Sequence, residues 1–320
     1  MEIFLAIVIL IGSFLLLIWG GDKFVDASIA LAKKLRIPPA IIGATITSIG
    51  TTLPELLVTL FAGSESAGLA VGNALGSIAF NGALIGGILL IFTMVSLKDT
   101  GIASAVMLIF SLFLTLIMSL DKTVAVWECA ILICIFICFM VLNYLKAKKI
   151  SDNNAKKKTE NKPIYWYILQ FLLSAAAIGV GAYFLVDKAK FLASLIGMSE
   201  TAIGLTIVAF GTSLPELITT INAIRKKESG LGLGNIIGSN IINCTLLISL
   251  SGLMSGGSGL WVDIQTLCIT LPVTLIISLL LLLPTIIKRK TSKWQGVSLV
   301  LLYSIYYIYL LLNGIGVIVF

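Results

Sequence analysis

Gly43-Ala44-Thr45-Ile46-Thr47-Ser48-Ile49-Gly50-Thr51-Thr52-Leu53-Pro54-Glu55 decides how the chain is read. It lies inside a long apolar run, yet it closes on a proline and a carboxylate. A second copy reads Gly204-Leu205-Thr206-Ile207-Val208-Ala209-Phe210-Gly211-Thr212-Ser213-Leu214-Pro215-Glu216. On a helix, Ser48, Thr51, Thr52 and Glu55 fall at i, i+3, i+4 and i+7 and form one stripe. Ala209, Thr212, Ser213 and Glu216 form the equivalent stripe. Pro54 cannot donate to the carbonyl of Gly50, and its ring crowds that turn. Pro215 and Gly211 repeat the arrangement. Each copy predicts a broken helix that offers backbone oxygens beside a carboxylate.

The surroundings are those of a membrane protein. The chain has 320 residues, 58% hydrophobic and 12% charged, with a mean hydropathy of +1.10. Soluble domains average about 25% charged residues. Apolar runs near the length that spans a bilayer as a helix recur throughout, and none alternates apolar and polar residues as a barrel strand does. Ten spans are predicted, at 3–20, 38–62, 69–93, 101–119, 124–145, 164–186, 201–224, 231–254, 262–284 and 295–318. Met1-Glu2 leads into the first run without a basic segment or cleavage site, so that run is expected to be retained.

One long polar segment, beginning at Lys146 and ending at Lys162, divides five spans from five. Its Lys, Asn, Ser and Asp cannot bury a core, and it reads as a flexible linker. Lys and Arg are held on the cytoplasmic side of membranes. With this linker inside, every Lys and Arg of the 22 except Lys122, Lys188 and Lys190 falls in an inside loop. Both termini are then expected outside the cytoplasm of a plasma-membrane protein. This asymmetry accounts for the net charge of +7 without nucleic acid. Trp127, Trp166, Trp261 and Trp294 stand at span ends, as interfacial anchors do.

A second repeated segment strengthens the division. Gly72-Asn73-Ala74-Leu75-Gly76-Ser77-Ile78-Ala79-Phe80-Asn81 matches Gly234-Asn235-Ile236-Ile237-Gly238-Ser239-Asn240-Ile241-Ile242-Asn243. Weaker echoes, Phe24-Val25-Asp26 and Leu185-Val186-Asp187, precede both motifs. Five is odd, so the second half enters the membrane from the opposite side. The expected fold is an all-α integral membrane protein of ten transmembrane helices in two inverted five-helix repeats, 1–145 and 164–320, joined by a cytoplasmic linker at 146–163. Inverted repeats with broken helices at mid-membrane are a transporter architecture.

Asn73, Ser77 and Asn81 are spaced by four, as are Asn235, Ser239 and Asn243, so four helices each present an oxygen-rich face. Gly72, Gly76, Gly234 and Gly238 let those helices approach closely. An ionised group at the bilayer centre costs about 2.5–3.5 kcal/mol on insertion scales. No Lys, Arg or His lies near Glu55 or Glu216 in the motif helices, which leaves protons or bound cations to neutralise them. All-oxygen ligands suit Ca²⁺ or Na⁺ better than zinc or copper. Two carboxylates match one Ca²⁺ or two Na⁺.

The remaining polar groups read as structural. With no histidine and with Cys129, Cys134, Cys138, Cys244 and Cys268 in apolar runs, a zinc or haem site has almost no support. Cys134 and Cys138 are expected to be small packing residues. Asp26, Asp187, Asp121, Glu128, Glu65 and Asp263 are expected near helix ends.

Gly50-Thr51-Thr52-Leu53-Pro54-Glu55 and Gly211-Thr212-Ser213-Leu214-Pro215-Glu216, each followed by a Gly-Asn-x-x-Gly-Ser helix, resemble the two α-repeats of the Ca²⁺:cation antiporters, and most nearly the prokaryotic Na⁺/Ca²⁺ exchangers. The resemblance covers nearly the whole chain. It implies that Glu55 and Glu216 bind Ca²⁺ together with backbone oxygens of Thr51 and Thr212. It implies one Na⁺ region lined by Ser48, Thr52 and Ser77, and another lined by Ala209, Ser213 and Ser239. Asn81 and Asn243 would flank the centre, and helices one and six would slide to switch access. One departure stands out: position 243, commonly Asp in the Na⁺/Ca²⁺ members, is Asn here, so two core carboxylates remain.

The expected function is secondary antiport of Ca²⁺ for Na⁺ by alternating access. Exchange of Ca²⁺ or another divalent cation for H⁺ is the near alternative, and a passive cation channel the more distant one. No cofactor, nucleic-acid partner or protein partner is expected, only transported ions and lipid. No nucleotide loop or nucleophile motif such as G-x-S-x-G points to an enzyme.

Overall fold

A computed structural model describes residues 2–62, 67–95, 102–153, 163–195, 209–288 and 290–314. The described chain is helical nearly throughout. Helix α1 is Glu2–Leu35 and α2 is Pro39–Thr51, with a π-helical turn over Gly43–Thr47. Helix α3 is Leu53–Ala62. Helix α4 runs over 67–92, π-helical at Phe80–Ile85. Then come α5 (Ile102–Met118), α6 (Val126–Asn153) and α7 (Ile164–Leu195). The one-turn helix α8 (Ala209–Thr212) leads into α9 (Leu214–Arg225). Helix α10 (Ser229–Met254) is π-helical at Ile242–Leu247, and α11 (Thr266–Lys288) at Thr266–Thr270. The last helix, α12, is Lys293–Gly314. Two short strands, β1 (Thr123–Val124) and β2 (Leu260–Trp261), pair antiparallel.

Among the described residues, seven helices are long and apolar enough to cross a membrane: α1, α4, α6, α7, α10, α11 and α12. Pro39–Thr51 and Ile102–Met118 are shorter apolar helices. The layering follows from burial. Some 83% of the apolar window of α10 and 72% of that of α4 lie inside the protein, against 22% for α1, α6 and α12. The repeated Gly-Asn-x-x-Gly-Ser helices are therefore the interior pillars. The outer helices expose residues such as Phe4, Leu15, Leu173 and Ile305, as suits a hydrocarbon solvent.

Close approach of α2 to α10 depends on glycine. A Cβ at Gly43 would collide with the Leu231 carbonyl, and one at Gly234 with the Ala40 carbonyl. Small residues at a membrane helix interface permit this spacing. Helices α1 and α7 pack along each other, with Leu17, Phe24 and Leu31 meeting Tyr167, Phe171 and Ile178. The rings of Phe24 and Phe171 are 4.5 Å apart.

Four expectations need correction. The first span does not stop at residue 20; α1 continues through Asp22, Lys23 and Asp26 to Leu35. The polar residues are accommodated because Lys226 at the end of α9 pairs with Asp22 (2.7 Å) and Asp26 (3.0 Å), while Phe24, Val25 and Ala27 on the other face are buried. Asp26 and Asp187 thus sit within helices; Asp187 pairs with its neighbour Lys188 at 2.7 Å. The polar segment is helical at its start, since α6 extends through Asn153. There the Ser151 hydroxyl donates to the Leu35 carbonyl at 2.8 Å and ties α6 to the end of α1. Residues 154–162 lie outside the described residues. Finally, Cys134 and Cys138 are exposed on the outer face of α6 and do not pack inside, whereas Cys129 and Cys244 are buried.

The acids at helix ends have backbone partners. Glu128 accepts from the Ala125 amide at 2.8 Å, the return arm of a capping box. Asp263 accepts from the Thr266 amide at 2.8 Å. Glu65, Lys98 and Gly204–Val208 of the second motif lie outside the described residues.

Candidate functional site

Both motif helices break at the same place. Thr52 (φ −83°, ψ 2°) separates α2 from α3, and Ser213 (φ −88°, ψ 3°) separates α8 from α9. These angles belong to the sparsely allowed bridge region. Pro54 and Pro215 follow two residues later, where a missing N–H is tolerated at a helix start. The break buries Thr52 and Ser213 and begins a new helix whose first turn carries the glutamate.

Every sequence-predicted site residue is buried: Glu55, Glu216, Ser48, Ser77, Asn81, Ser213, Ser239, Asn243 and Thr51 at 0% exposure, Thr52 and Thr212 at 2%, and Ala209 at 5%. Two carboxylates at zero exposure, with no basic side chain paired to either among the described residues, are the defining chemistry of the interior.

The contacts around them are reciprocal between the halves. The Thr52 hydroxyl donates to Glu216 Oε1 at 3.2 Å, and the Ser213 hydroxyl donates to Glu55 Oε1 at 3.0 Å. The Thr51 hydroxyl reaches Asn235 Oδ1 at 3.1 Å, and that of Thr212 reaches Asn73 Oδ1 at 3.2 Å. Each motif supplies a hydroxyl to the other motif's carboxylate and another to the other half's Gly-Asn helix. Glu55 and Glu216 thereby belong to one site.

Ser239 donates to Glu216 Oε1 at 3.2 Å and lies 3.0 Å from the Thr52 hydroxyl. The structure therefore groups Ser239 with Thr52, which the resemblance assigned to the opposite Na⁺ region. Ser48 donates to the Thr45 carbonyl at 2.9 Å and packs beside Gly238. The carbonyl of Ala209 accepts from the Thr212 hydroxyl at 3.3 Å.

Several buried oxygens have no hydrogen-bond partner among the described residues. Among them are Glu55 Oε2, Glu216 Oε2, Asn81 Oδ1 and Asn243 Oδ1. A buried polar atom left unpaired costs about 1–3 kcal/mol. Such a set of hard oxygen donors fits Ca²⁺ or Na⁺ as a substrate ion.

Sequence reasoning did not foresee the π-helical segments. Asn81 and Asn243 lie in Phe80–Ile85 and Ile242–Leu247, which occupy corresponding positions in the two repeats. A π-bulge adds a residue to one turn and re-aims the side chains there, often at functional sites. Also missed were Thr59 and Thr220, one turn beyond each glutamate, buried and unpartnered among the described residues. Their i+4 spacing from Glu55 and Glu216 was the available signal.

A polar, two-carboxylate core within a multi-pass helical bundle is the mark of an ion transporter. The sequence profile of the sodium/calcium exchanger protein family matches residues 5–145 and 166–312, and the chain belongs to that family. It is 30% identical to sodium/calcium exchanger MaX1 of Methanosarcina acetivorans, over 92% of this chain and 95% of that protein. It is 33% identical to inner membrane protein YrbG of Escherichia coli, over 79% of this chain and 81% of that protein. Its fold superimposes on the sodium-calcium exchanger NCX_Mj, soaked with Na⁺ and Sr²⁺, with a TM-score of 0.82 at 28% identity, covering 96% of this chain and 99% of that one. The protein is a multi-pass membrane protein of a cation-exchanging family.

Proposed function

We propose that the protein exchanges Ca²⁺ for Na⁺ by alternating access, as an antiporter of ten transmembrane helices built from inverted halves 1–145 and 164–320. The 146–163 segment is cytoplasmic and both termini lie on the other side of the plasma membrane. Glu55 and Glu216, with backbone oxygens of Thr51 and Thr212, bind Ca²⁺. Ser48, Thr52, Ser77, Ala209, Ser213 and Ser239 serve Na⁺, and Asn81 and Asn243 flank the centre.

The observation that carries this reading is the reciprocal pair of contacts, Thr52 to Glu216 and Ser213 to Glu55. Two carboxylates held in one buried site repel each other until cations bind. Ca²⁺ and Na⁺ compete for the charge of the same two carboxylates, so one leaves as the other enters. Inverted halves supply two equivalent closures around that fixed site. The names of its relatives, sodium/calcium exchanger MaX1 and NCX_Mj, support the choice of ions.

The test is Ca²⁺ uptake into proteoliposomes with Na⁺ and H⁺ gradients imposed one at a time. Uptake driven by Na⁺ at clamped pH is expected. Uptake driven only by H⁺ identifies a proton-coupled exchanger, and flux needing no counter-ion identifies a channel. Glu55→Gln and Glu216→Gln should each abolish uptake while the protein still folds; full transport by either removes the assigned site.

A further inference from the structure

A groove of about 490 Å³ lies between α2 and α6, and none of its walls belongs to the buried carboxylate site. On α6 it is lined by Met140, Tyr144, Lys148 and Ser151, which fall at i, i+4, i+8 and i+11 and share one face. On α2 the facing side chains are Ile41, Thr45 and Ile46. Ile46 is 37% exposed and Tyr144 65%, so the groove opens to the surroundings of the bundle. Met140 and Lys148 are separated by about 12 Å of helix, most of one leaflet of a hydrocarbon core about 30 Å thick.

The two ends of the groove differ in chemistry. Around Met140, Ile41 and Ile46 the walls are apolar. The Thr45 hydroxyl is committed to the Ile41 carbonyl at 2.8 Å, and the amide of Asn143, also on the wall, to the Phe139 carbonyl at 2.9 Å, so neither asks for a polar occupant. The other end is basic. Lys148 is exposed and has no ion pair among the described residues. Lys149 follows it, and Lys33 and Lys34 occupy the last turn of α1, which the bond from Ser151 to the Leu35 carbonyl draws to this end. None of the lining residues is acidic. Tyr144 stands one turn before Lys148, and its side chain pairs an apolar ring with a hydroxyl suited to a wet boundary.

What fills such a groove must be apolar along most of its length and anionic at one end. Water is a poor partner for carbon walls, and the segment at 154–162 offers a single apolar residue, Ala155. The surrounding bilayer supplies molecules of the required kind. We propose that the groove is a binding site for an anionic phospholipid: one acyl chain lies between α2 and α6, and the phosphate rests against the Lys148 ammonium and the Tyr144 hydroxyl. With residues 146–163 cytoplasmic, as proposed above, the phosphate lies at the leaflet whose surface is negative. The bound chain completes the packing of α2, the helix that carries Ser48 and Thr51, so the lipid braces one wall of the transport site.

The experiment uses the full chain purified in detergent, titrated with dioctanoyl phosphatidylglycerol and, in parallel, with dioctanoyl phosphatidylcholine. The quantity read is the lipid concentration that gives half the maximal rise in unfolding midpoint. Phosphatidylglycerol is expected to act at a concentration about fivefold lower. Lys148→Gln should erase that preference. Lys293→Gln, which removes an exposed cation at the start of α12, should keep it. Ala147→Trp places a ring in the groove that Ala147 lines and should remove the stabilisation by phosphatidylglycerol. Equal action of the two lipids on the parent protein overturns the inference. Equal loss of preference in Lys148→Gln and Lys293→Gln also overturns it, since attraction to surface charge then explains the binding. Undiminished stabilisation of Ala147→Trp removes the acyl chain from the groove; where that variant does not fold, the comparison of the two lysine variants decides alone. Binding is read here without transport, so its failure leaves the exchanger reading intact.

Discussion

Gly238→Ala turns the packing of α2 against α10 into a question of sign. Alanine is favoured over glycine in a helix by about 0.8–1.0 kcal/mol, so propensity alone predicts stabilisation. A Cβ at Gly238 would lie 2.5 Å from the Ala44 carbonyl oxygen, 2.5 Å from Ser48 Oγ and 2.7 Å from Ser48 Cβ. Ordinary contact begins at 3.4 Å, so the helices must part by about 0.9 Å. Overpacking of that kind costs about 1–3 kcal/mol and outweighs the propensity gain. The adjacent Ser239 would be carried away from Thr52, now 3.0 Å distant, and from Glu216 at 3.2 Å. Sites that need placement within about 0.5 Å do not survive such a shift, and a fall in Ca²⁺ affinity of about tenfold or more is expected. The assay is thermal unfolding of the purified protein followed by tryptophan fluorescence, with Ca²⁺ uptake in parallel. With a net cost of up to about 2 kcal/mol, the midpoint should drop by up to about 3 °C. Gly12→Ala is the control, since a Cβ there meets nothing within 4 Å; it should raise the midpoint slightly, as propensity alone predicts, and leave uptake unchanged. A Gly238→Ala protein as stable and as active as the parent refutes the close-packing argument.

Other consequences are smaller. Ser213→Ala and Thr52→Ala each remove a hydroxyl from a buried carboxylate, and bonds to charged groups are worth about 1.5–3 kcal/mol. Both should weaken Ca²⁺ uptake, to within about threefold of each other; loss in one alone would break the equivalence of the halves. Lys226→Met removes the ion pairs to Asp22 and Asp26, which are 38% and 47% exposed. Partial exposure limits the cost to about 1 kcal/mol, and the fall in unfolding midpoint should be largest at low salt and shrink towards about 1 M. A fall independent of salt would argue against the ion pairs as its cause. In detergent, a maleimide should label Cys134 and Cys138 and spare Cys129 and Cys244, read by mass spectrometry; labelling of Cys244 ahead of Cys134 contradicts the placement of α6.

Much of the site was legible because membrane helices state their polar residues plainly. Against an apolar background, Ser48, Thr51, Thr52 and Glu55 stand out as one stripe, and their repetition at Ala209, Thr212, Ser213 and Glu216 marks two equivalent positions. The glycines of the second repeat likewise announced a close helix contact, which Gly234 and Gly238 make with α2. What stayed hidden depends on tertiary packing. The pairing of Thr52 with Glu216, and of Ser213 with Glu55, joins residues more than 150 positions apart, and no local pattern encodes it. The π-helical turns at Phe80–Ile85 and Ile242–Leu247 have no characteristic residue types, because a single extra residue is absorbed wherever packing permits. The length of α1 was misjudged for a related reason. Asp26 reads as lying near a helix end until Lys226, supplied from the end of a distant helix, gives it and Asp22 a partner.

The most direct measurement of the central claim is an anomalous difference map from crystals soaked in Sr²⁺ with Na⁺ removed. The account predicts one dominant peak bridging the carboxylates of Glu55 and Glu216, lost in Glu216→Gln crystals. A dominant peak elsewhere, or one that persists undiminished in Glu216→Gln, would contradict it.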